Sequence, residues 1–262
     1  MAEPDQIDEH NHAAYSAEDT VNWYDQLDAL LPSEKIILEG IMPAIRGKKI
    51  LDIGVGGGRT TKHLLEISRD YTGIDYSQKF AELVKKKFRL DSVYCCDARD
   101  MSRFADGSFD FVLFSFNSID YIPHEGRLKA MAEIRRVLRP SGIFMFSTHN
   151  RNWIHTGKTA WQRPWKFSPG FVKDCLKTIL LTSRRMKMKK LEVREKEYAI
   201  INDDAHNYAL LTYHITIPEQ VNQLKKAGFG EIKAYNMKGE RVEDDANDNW
   251  TYFTAVRASS AE

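Results

Sequence analysis

Four glycines crowd into five positions, at Gly54, Gly56, Gly57 and Gly58. They follow the apolar run Ile50-Leu51-Asp52-Ile53 and precede the helix-like stretch Thr60 to Glu66. A strand-to-helix turn of this kind does its chemistry by leaving room. Without Cβ atoms the backbone takes positive φ and lets a ligand approach closely, and the helix start offers unpaired N–H groups. About 20 residues beyond the glycines, Asp75 ends a second strand-like run, Tyr71 to Ile74. A carboxylate there can accept hydrogen bonds from both hydroxyls of a ribose, or it can cap a helix starting near Ser77.

A dinucleotide fingerprint, Gly-x-Gly-x-x-Gly, requires glycine where this chain has Arg59, so the spacing reads Gly-x-Gly-x-Gly. The run Leu51 to Gly58 resembles the first motif of the class I S-adenosylmethionine-dependent methyltransferases. Leu138-Arg139-Pro140-Ser141-Gly142 is similar to a turn common in that family, as is Ala227-Gly228-Phe229 ahead of a strand. The likeness is close over about residues 46 to 149 and looser over 216 to 257. It implies S-adenosyl-L-methionine as cofactor and S-adenosyl-L-homocysteine as product. The contacts it implies are Asp52, Gly54, Gly56 and Gly58 in the first motif and Asp75 with Tyr76 at the ribose. Asp97 and Ala98 would meet the adenine, Phe116 and Asn117 end the fourth strand, and Tyr24 comes from a lid. Arg59 either pairs with the cofactor's carboxylate or lies on the first helix of the fold.

The elements that must position these residues follow from periodicity. Lys49 to Ile53, Tyr71 to Asp75, Val93 to Cys96, Phe109 to Phe116 and Ile143 to Ser147 read as strands, the fourth apolar on both faces as a central parallel strand must be. Ser77 to Phe88, Arg127 to Leu138 and Pro218 to Ala227 read as helices. Residues 1 to about 16 are expected to be a mobile acidic opening, with Ser16 capping a helix that carries Trp23 and Tyr24. A second helix from Pro32 presents Ile36, Ile37, Ile41 and Ile45 on one face. Trp23 and Tyr24 are candidates for closing over a sulfonium, which an aromatic face attracts. The expected fold is α/β: a Rossmann-like class I methyltransferase sheet, mostly parallel with a final antiparallel strand, N-terminal lid helices and an inserted α+β cap. Its boundaries are 1–45 for the acidic segment and lid, 46–150 and 216–262 for the core, and 151–215 for the cap, where the acceptor is expected to bind. Leu191 to Ile201 and Tyr208 to Ile215 read as two cap strands.

Methyl transfer from a sulfonium is an in-line displacement in which alignment supplies much of the rate, and a base is required only for a poorly ionised nucleophile such as an alcohol. The candidates for base or substrate ligand are His149 at the end of the fifth strand, then Tyr213 and His214 from the cap, then Asp120 and His124. Strand alternation puts Tyr213 and His214 on opposite faces, so a regular strand sends only one of them into a given pocket.

Composition bounds the alternatives. The 262 residues carry a net charge of +1, are 42% hydrophobic and 29% charged, and contain no apolar run long enough to span a bilayer. The opening has no signal-peptide pattern, which points to a cytoplasmic protein. Three cysteines, two of them adjacent, form neither a disulfide framework nor a zinc pattern, and no metal is expected. Charge is segregated: residues 1–20 hold six acids and no Lys or Arg, whereas 151–190 hold eleven basic residues and one acid. The leading expectation is a methyltransferase acting on oxygen or nitrogen of a small-molecule metabolite. The basic, aromatic 151–190 segment also fits an RNA methyltransferase. Against that stand the near-neutral total and the absence of an Asn/Asp-Pro-Pro-Tyr tetrapeptide after the fourth strand, where Asn117 leads into Ser118-Ile119-Asp120. Phe171 to Lys190 fits an interfacial helix working on a lipid-like acceptor, and a cofactor-binding protein without turnover is the remaining alternative.

Overall fold

The computed structural model describes residues 4–153, 171–202, 208–243 and 248–258. Its centre is one mixed sheet. Strands β1 (Ile50–Ile53), β2 (Tyr71–Asp75), β3 (Val93–Cys95), β4 (Phe109–Phe114) and β5 (Leu138–Asn150) are parallel neighbours in the order β3-β2-β1-β4-β5. Helices α4 (Arg59–Ile67), α5 (Gln78–Phe88) and α6 (His124–Val137) make the crossovers. Alternation along the strands splits the core in two. Leu51, Ile53, Val112 and Phe114 face one cluster with Ile134 and Val137 of α6. Ile50, Phe111 and Leu113 face the other with Leu64 of α4 and Val84 of α5. Both faces are covered, so every residue of β1 and β2 is buried, the polar Asp52, Thr72 and Asp75 included.

The polypeptide between β5 and the last strands departs from the sequence expectation. Helix α7 (Phe171–Met188) is followed by β6 (Val193–Arg194), β7 (Tyr198–Ile201) and β8 (Thr212–Ile215), so Leu191 to Ile201 is not one strand but a short hairpin. Rather than forming a separate layer over the sheet, β8 pairs in parallel with β5, His149 against His214 and Asn150 against Ile215. The cause is geometric: β5 runs beyond the end of β4, whose pairing stops at Phe114–Phe146, and β8 takes up the backbone groups left open. Helix α8 (Ile217–Lys226), capped by Thr216, leads to β9 (Phe229–Tyr235), β10 (Arg241–Val242) and β11 (Trp250–Arg257). β11 lies antiparallel between β5 and β9, the expected reversal. The stretch 138–142, expected as a turn, belongs to β5, with a register irregularity opposite Phe109 to Phe111.

The N-terminus is the larger correction. Residues expected to be mobile form α1 (Pro4–Tyr15), followed by α2 (Glu18–Asp25) and α3 (Pro32–Ile45). Ile7, Asn11 and Tyr15, one turn apart, are buried. Asn11 acts as a strand surrogate, donating to the carbonyls of Leu211 and Tyr121 and accepting from Leu211 N–H, each within 3.0 Å. Ser16 does not cap α2; its N-cap is Ala17, with no side-chain bond. On α3, Ile37 and Ile45 are buried, whereas Ile36 stays 48% exposed.

Candidate functional site

The glycine turn begins where β1 ends. Gly54, Gly56 and Gly58 all have positive φ, +70°, +50° and +86°. At Gly57 an added Cβ would lie 2.1 Å from the carbonyl oxygen of Tyr24, so the end of α2 rests directly on the turn. Lys87 Nζ locks that contact, donating to Gly57 O at 2.9 Å and Asp25 Oδ1 at 2.7 Å. Beneath the turn, Asp52 accepts from Thr60 Oγ1 at 2.8 Å and Tyr71 OH at 3.0 Å. Burial pushes its carboxyl up to about 7 despite those bonds.

At the end of β2, Asp75 reaches back to the turn. Its Oδ2 accepts from Gly56 N–H at 3.0 Å and its Oδ1 from Ser77 N–H at 2.9 Å. Burial pushes this carboxyl up to about 6, with the two N–H bonds opposing the rise. After β3, Asp97 is gripped by Arg99, whose Nε and Nη2 reach both carboxylate oxygens within 3.0 Å and whose Nη1 bonds Asp8 of α1 at 2.7 Å. Burial acts to raise Asp97, but Arg99 outweighs it and the carboxyl sits below its ordinary value. After β4, Phe116 and Asn117 both adopt φ +55°, two consecutive left-handed non-glycine residues, which marks a strained corner at the sheet's carboxyl edge.

These pieces surround one cavity of about 930 Å³, its open mouth included. Of the expected cofactor contacts, Tyr24, Gly54, Gly56, Asp75, Tyr76, Asp97, Ala98 and Phe116 line it. Asp52, Gly58 and Asn117 do not: Asp52 braces the turn from below, Gly58 packs against Phe88, and Asn117 is wholly buried with its N–H on Ser147 Oγ. Of its two alternatives, the structure shows the helical one for Arg59. It sits on α4, forms a two-pronged ion pair with Glu34, and lines the cavity with its guanidinium 4.8 Å from the Phe116 ring centre. Trp23 is 46% exposed and lies edge-on against Tyr24, so only Tyr24 of that pair faces inward.

Residues 51–146 match the family model described as a methyltransferase domain. That stretch carries a methyltransferase domain. The chain is 26% identical over 162 residues to the ubiquinone biosynthesis O-methyltransferase of Idiomarina loihiensis, covering 58% of this chain and 65% of that protein. It is 32% identical over 139 residues to the enzyme of the same name from Nitrosococcus oceani, covering 49% and 57%. The chain thus spans between half and two thirds of the length of these curated relatives. Among solved structures, its fold is similar to that of the Burkholderia thailandensis 1,6-didemethyltoxoflavin-N1-methyltransferase, at TM-score 0.61 and 16% identity over 99% of this chain and 92% of that one. Other solved structures of similar fold, from Thermotoga maritima and Clostridium acetobutylicum, are named S-adenosylmethionine-dependent methyltransferases, and the toxoflavin enzyme holds S-adenosylhomocysteine.

The methyltransferase domain can cradle such a group. A Cβ at Gly54 would press on Ser118 and Phe114 at 3.2 and 3.3 Å and narrow the cavity floor. An ionised carboxylate offers about four lone-pair sites, and Asp75 uses only two on N–H groups. The roof was not legible in the sequence: Asp8, Asn11, His12 and Tyr15 of α1 line the cavity. The available signal was the i, i+4, i+8 spacing of Ile7, Asn11 and Tyr15, masked by the acidic composition around it.

The three catalytic candidates lie behind this cavity rather than on its wall. His149 is buried, with Nδ1 2.7 Å from Asp120 Oδ2 and Nε2 3.4 Å from Asn117 Nδ2. His214 lies on the same side, its ring centre 5.0 Å from that of His149, with Nε2 3.0 Å from Thr212 Oγ1. Tyr213 points the opposite way, as strand alternation demands. Its hydroxyl is 2.8 Å from Gln223 Nε2 and from His124 Nδ1, and His124 stacks on Tyr198. Asp120 holds the cluster together. It accepts from Arg127 Nη1 at 2.5 Å, Thr148 Oγ1 at 2.6 Å and His149 N–H at 2.7 Å in addition to the ring. Burial acts to raise the Asp120 carboxyl, but Arg127 and His149 outweigh it and hold it below its ordinary value. Among the described residues, no helix is long and apolar enough to cross a membrane.

Proposed function

We propose that the chain is an S-adenosylmethionine-dependent methyltransferase that transfers a methyl group to an oxygen or nitrogen of a small molecule. The reading rests on one observation: a single roofed cavity gathers the Gly54–Gly56 turn, the Asp75 carboxylate and the Asp97–Ala98 corner within a domain of the methyltransferase family. When bound, the cofactor supplies an activated methyl on a sulfonium. Asp75 takes the ribose hydroxyls, Ala98 and Asp97 the adenine edge, and the turn with Arg59 the amino-acid end. Tyr24 and Tyr15 exclude water from above. The roof favours a small acceptor over a long polymer, and two of the compared proteins are named for ubiquinone biosynthesis and for 1,6-didemethyltoxoflavin. The acceptor-binding part of this reading is the 151–215 segment, of which residues 154–170 and 203–207 lie outside the described residues, together with the end of β5; His149, His214 and Tyr213 are the candidate working groups.

Calorimetric titration with S-adenosylhomocysteine, with NAD as control, tests the cofactor half. Micromolar binding of the first, none of the second, and a loss in Asp75→Ala are expected; NAD binding or an unaffected variant would overturn it. A lipid-like acceptor is a second reading, favoured by the outer face of α7. There Ile179, Leu180 and Met186 are 53%, 71% and 64% exposed, next to exposed Lys187 and Lys190. Cosedimentation with anionic vesicles would support it, and full recovery in the supernatant would remove it.

A further inference from the structure

The sheet has a second opening, at the end opposite the glycine turn. The amino ends of β1 to β4 come together there: Lys49 directly precedes β1, Thr72 and Tyr94 are the second residues of β2 and β3, and Phe109 begins β4. With Arg103 and Phe104 from the loop before β4 they enclose a shallow pocket of about 640 Å³, its open mouth included. Among the described residues it shares no lining residue with the cofactor cavity, and no acid lines it.

The floor of this pocket is aromatic. Phe104 packs edge-on against Phe109 at 5.2 Å and against Tyr94 at 6.4 Å between ring centres. Two cations stand on that floor. Arg103, an exposed residue, has its guanidinium carbon 3.7 Å from the ring centre of Tyr94 and 5.7 Å from that of Phe104, and half-buried Lys49 holds Nζ 5.6 Å from the centre of Phe109. A ring face attracts a cation without engaging its N–H groups. Among the described residues, no side-chain N–H of Arg103 or Lys49 has a hydrogen-bond partner or a carboxylate in ion-pair reach. The nearby acids are engaged elsewhere: Asp110 accepts from Arg139 at 2.8 Å and from the Lys49 backbone N–H at 2.9 Å, and Asp106 accepts from Arg136 at 2.7 Å. Thr72 is only 8% exposed and lines the wall, and its hydroxyl also has no partner among the described residues. A largely buried hydroxyl beside two unpaired cations is a costly arrangement unless a ligand completes it.

We propose that this pocket binds the phosphate group of a small phosphate monoester, a second ligand distinct from cofactor and acceptor. Such a group is close to a dianion above neutral pH and offers three strong acceptor oxygens. That charge matches a lining with two positive groups and no negative one. The guanidinium fork takes two oxygens side by side, Lys49 acts on the group as a point charge, and Thr72 adds a hydroxyl donor. Because the guanidinium is already seated on Tyr94, little side-chain freedom is lost on binding. The mouth is open, so the phosphate is gripped while the organic body projects into solvent. Two cations are too few to follow a polynucleotide backbone. The site stands whether or not the upper cavity takes S-adenosylmethionine.

The test uses phenyl phosphate as probe and phenol as its uncharged control, titrated at pH 8 into the nitrogen-labelled full chain and followed by amide correlation spectra. Saturable shifts at Lys49, Thr72, Tyr94 and Arg103 are expected with the phosphate, at a Kd of about 1 mM or below, and none with phenol. Arg103→Gln and Lys49→Gln should each weaken binding by about tenfold or more. Arg103→Lys keeps the charge but loses the fork and should fall between wild type and Arg103→Gln. Lys48→Gln removes an exposed charge next door that does not line the pocket, and should stay within about twofold of wild type. Unfolding midpoints near that of wild type show that the variants are folded. Three results would overturn the proposal: no saturation by about 10 mM, shifts centred on the Gly54 turn, or the same loss in Lys48→Gln as in the pocket variants, which would report net charge alone. Binding of a short single-stranded RNA at these residues more than about tenfold tighter than the monoester would also overturn it, in favour of a nucleic-acid surface.

Discussion

Acidification from pH 8 to pH 5 is expected to weaken S-adenosylhomocysteine binding through one group. Asp75 is buried between the turn and α5, and burial pushes its carboxyl up to about 6. Only the ionised form can accept from both ribose hydroxyls while still holding Gly56 and Ser77 N–H, so a proton on the free protein competes with the ligand. The sign is therefore loss of affinity as pH falls. With a midpoint near 6, the competition factor 1 + 10^(pKa − pH) is about 1 at pH 8, about 2 at pH 6 and about 11 at pH 5. Asp97, held low by Arg99, stays ionised across this window, and Asp52 does not reach the cavity. In Asp75→Asn the geometry of one acceptor survives but the charge assistance is lost, at a cost of about 3 kcal/mol or on the order of 10²-fold in Kd. Its residual affinity should be flat with pH. Titration calorimetry at pH 5, 6, 7 and 8 on both proteins reads this directly. A wild-type Kd unchanged between pH 8 and 5, or a slope that persists in Asp75→Asn, would refute the role given to this carboxylate.

Other perturbations follow from the same contacts. Gly57→Ala places a methyl 2.1 Å from the Tyr24 carbonyl and should displace the end of α2. It should cost about 1–3 kcal/mol in urea unfolding and speed ligand release in stopped flow, and wild-type behaviour would show that the lid does not rest on the turn. Arg127→Met strands a buried carboxylate at Asp120, for an expected loss of about 3–5 kcal/mol. Arg127→Met with Asp120→Asn should recover part of it, and an additive double variant would contradict the coupling. Asp8→Ala breaks a half-exposed ion pair with Arg99, so stability should change by under about 1 kcal/mol. Its trace should instead appear as faster amide exchange in α1 when S-adenosylhomocysteine is bound, and unchanged exchange would remove the α1–Arg99 link from lid closure.

The core of this fold was legible because its signals are local. Strands β1, β2 and β4 are short, mostly apolar runs, which a sheet covered on both faces can bury. The Gly54–Gly58 turn announces itself because positive φ and close approach exclude most side chains. Asp75 and Asp97 were legible for the same reason: they stand at the carboxyl ends of predictable strands. Tertiary packing settled what local pattern leaves open. Helix α1 looked like an acidic tail, and its order depends on Asn11 completing backbone bonds about 200 residues away at Leu211. Strand β8 was expected in a separate cap, and it joined the sheet because β5 outruns β4. Asp120, one acid among 37 in the chain, became the anchor of the His149 cluster only when α6, β5 and the turn after β4 converged. Residue type and strand period determine which groups stand at a sheet's edge. Which of them touch is decided by elements far apart in the chain, and no local spacing encodes that distance.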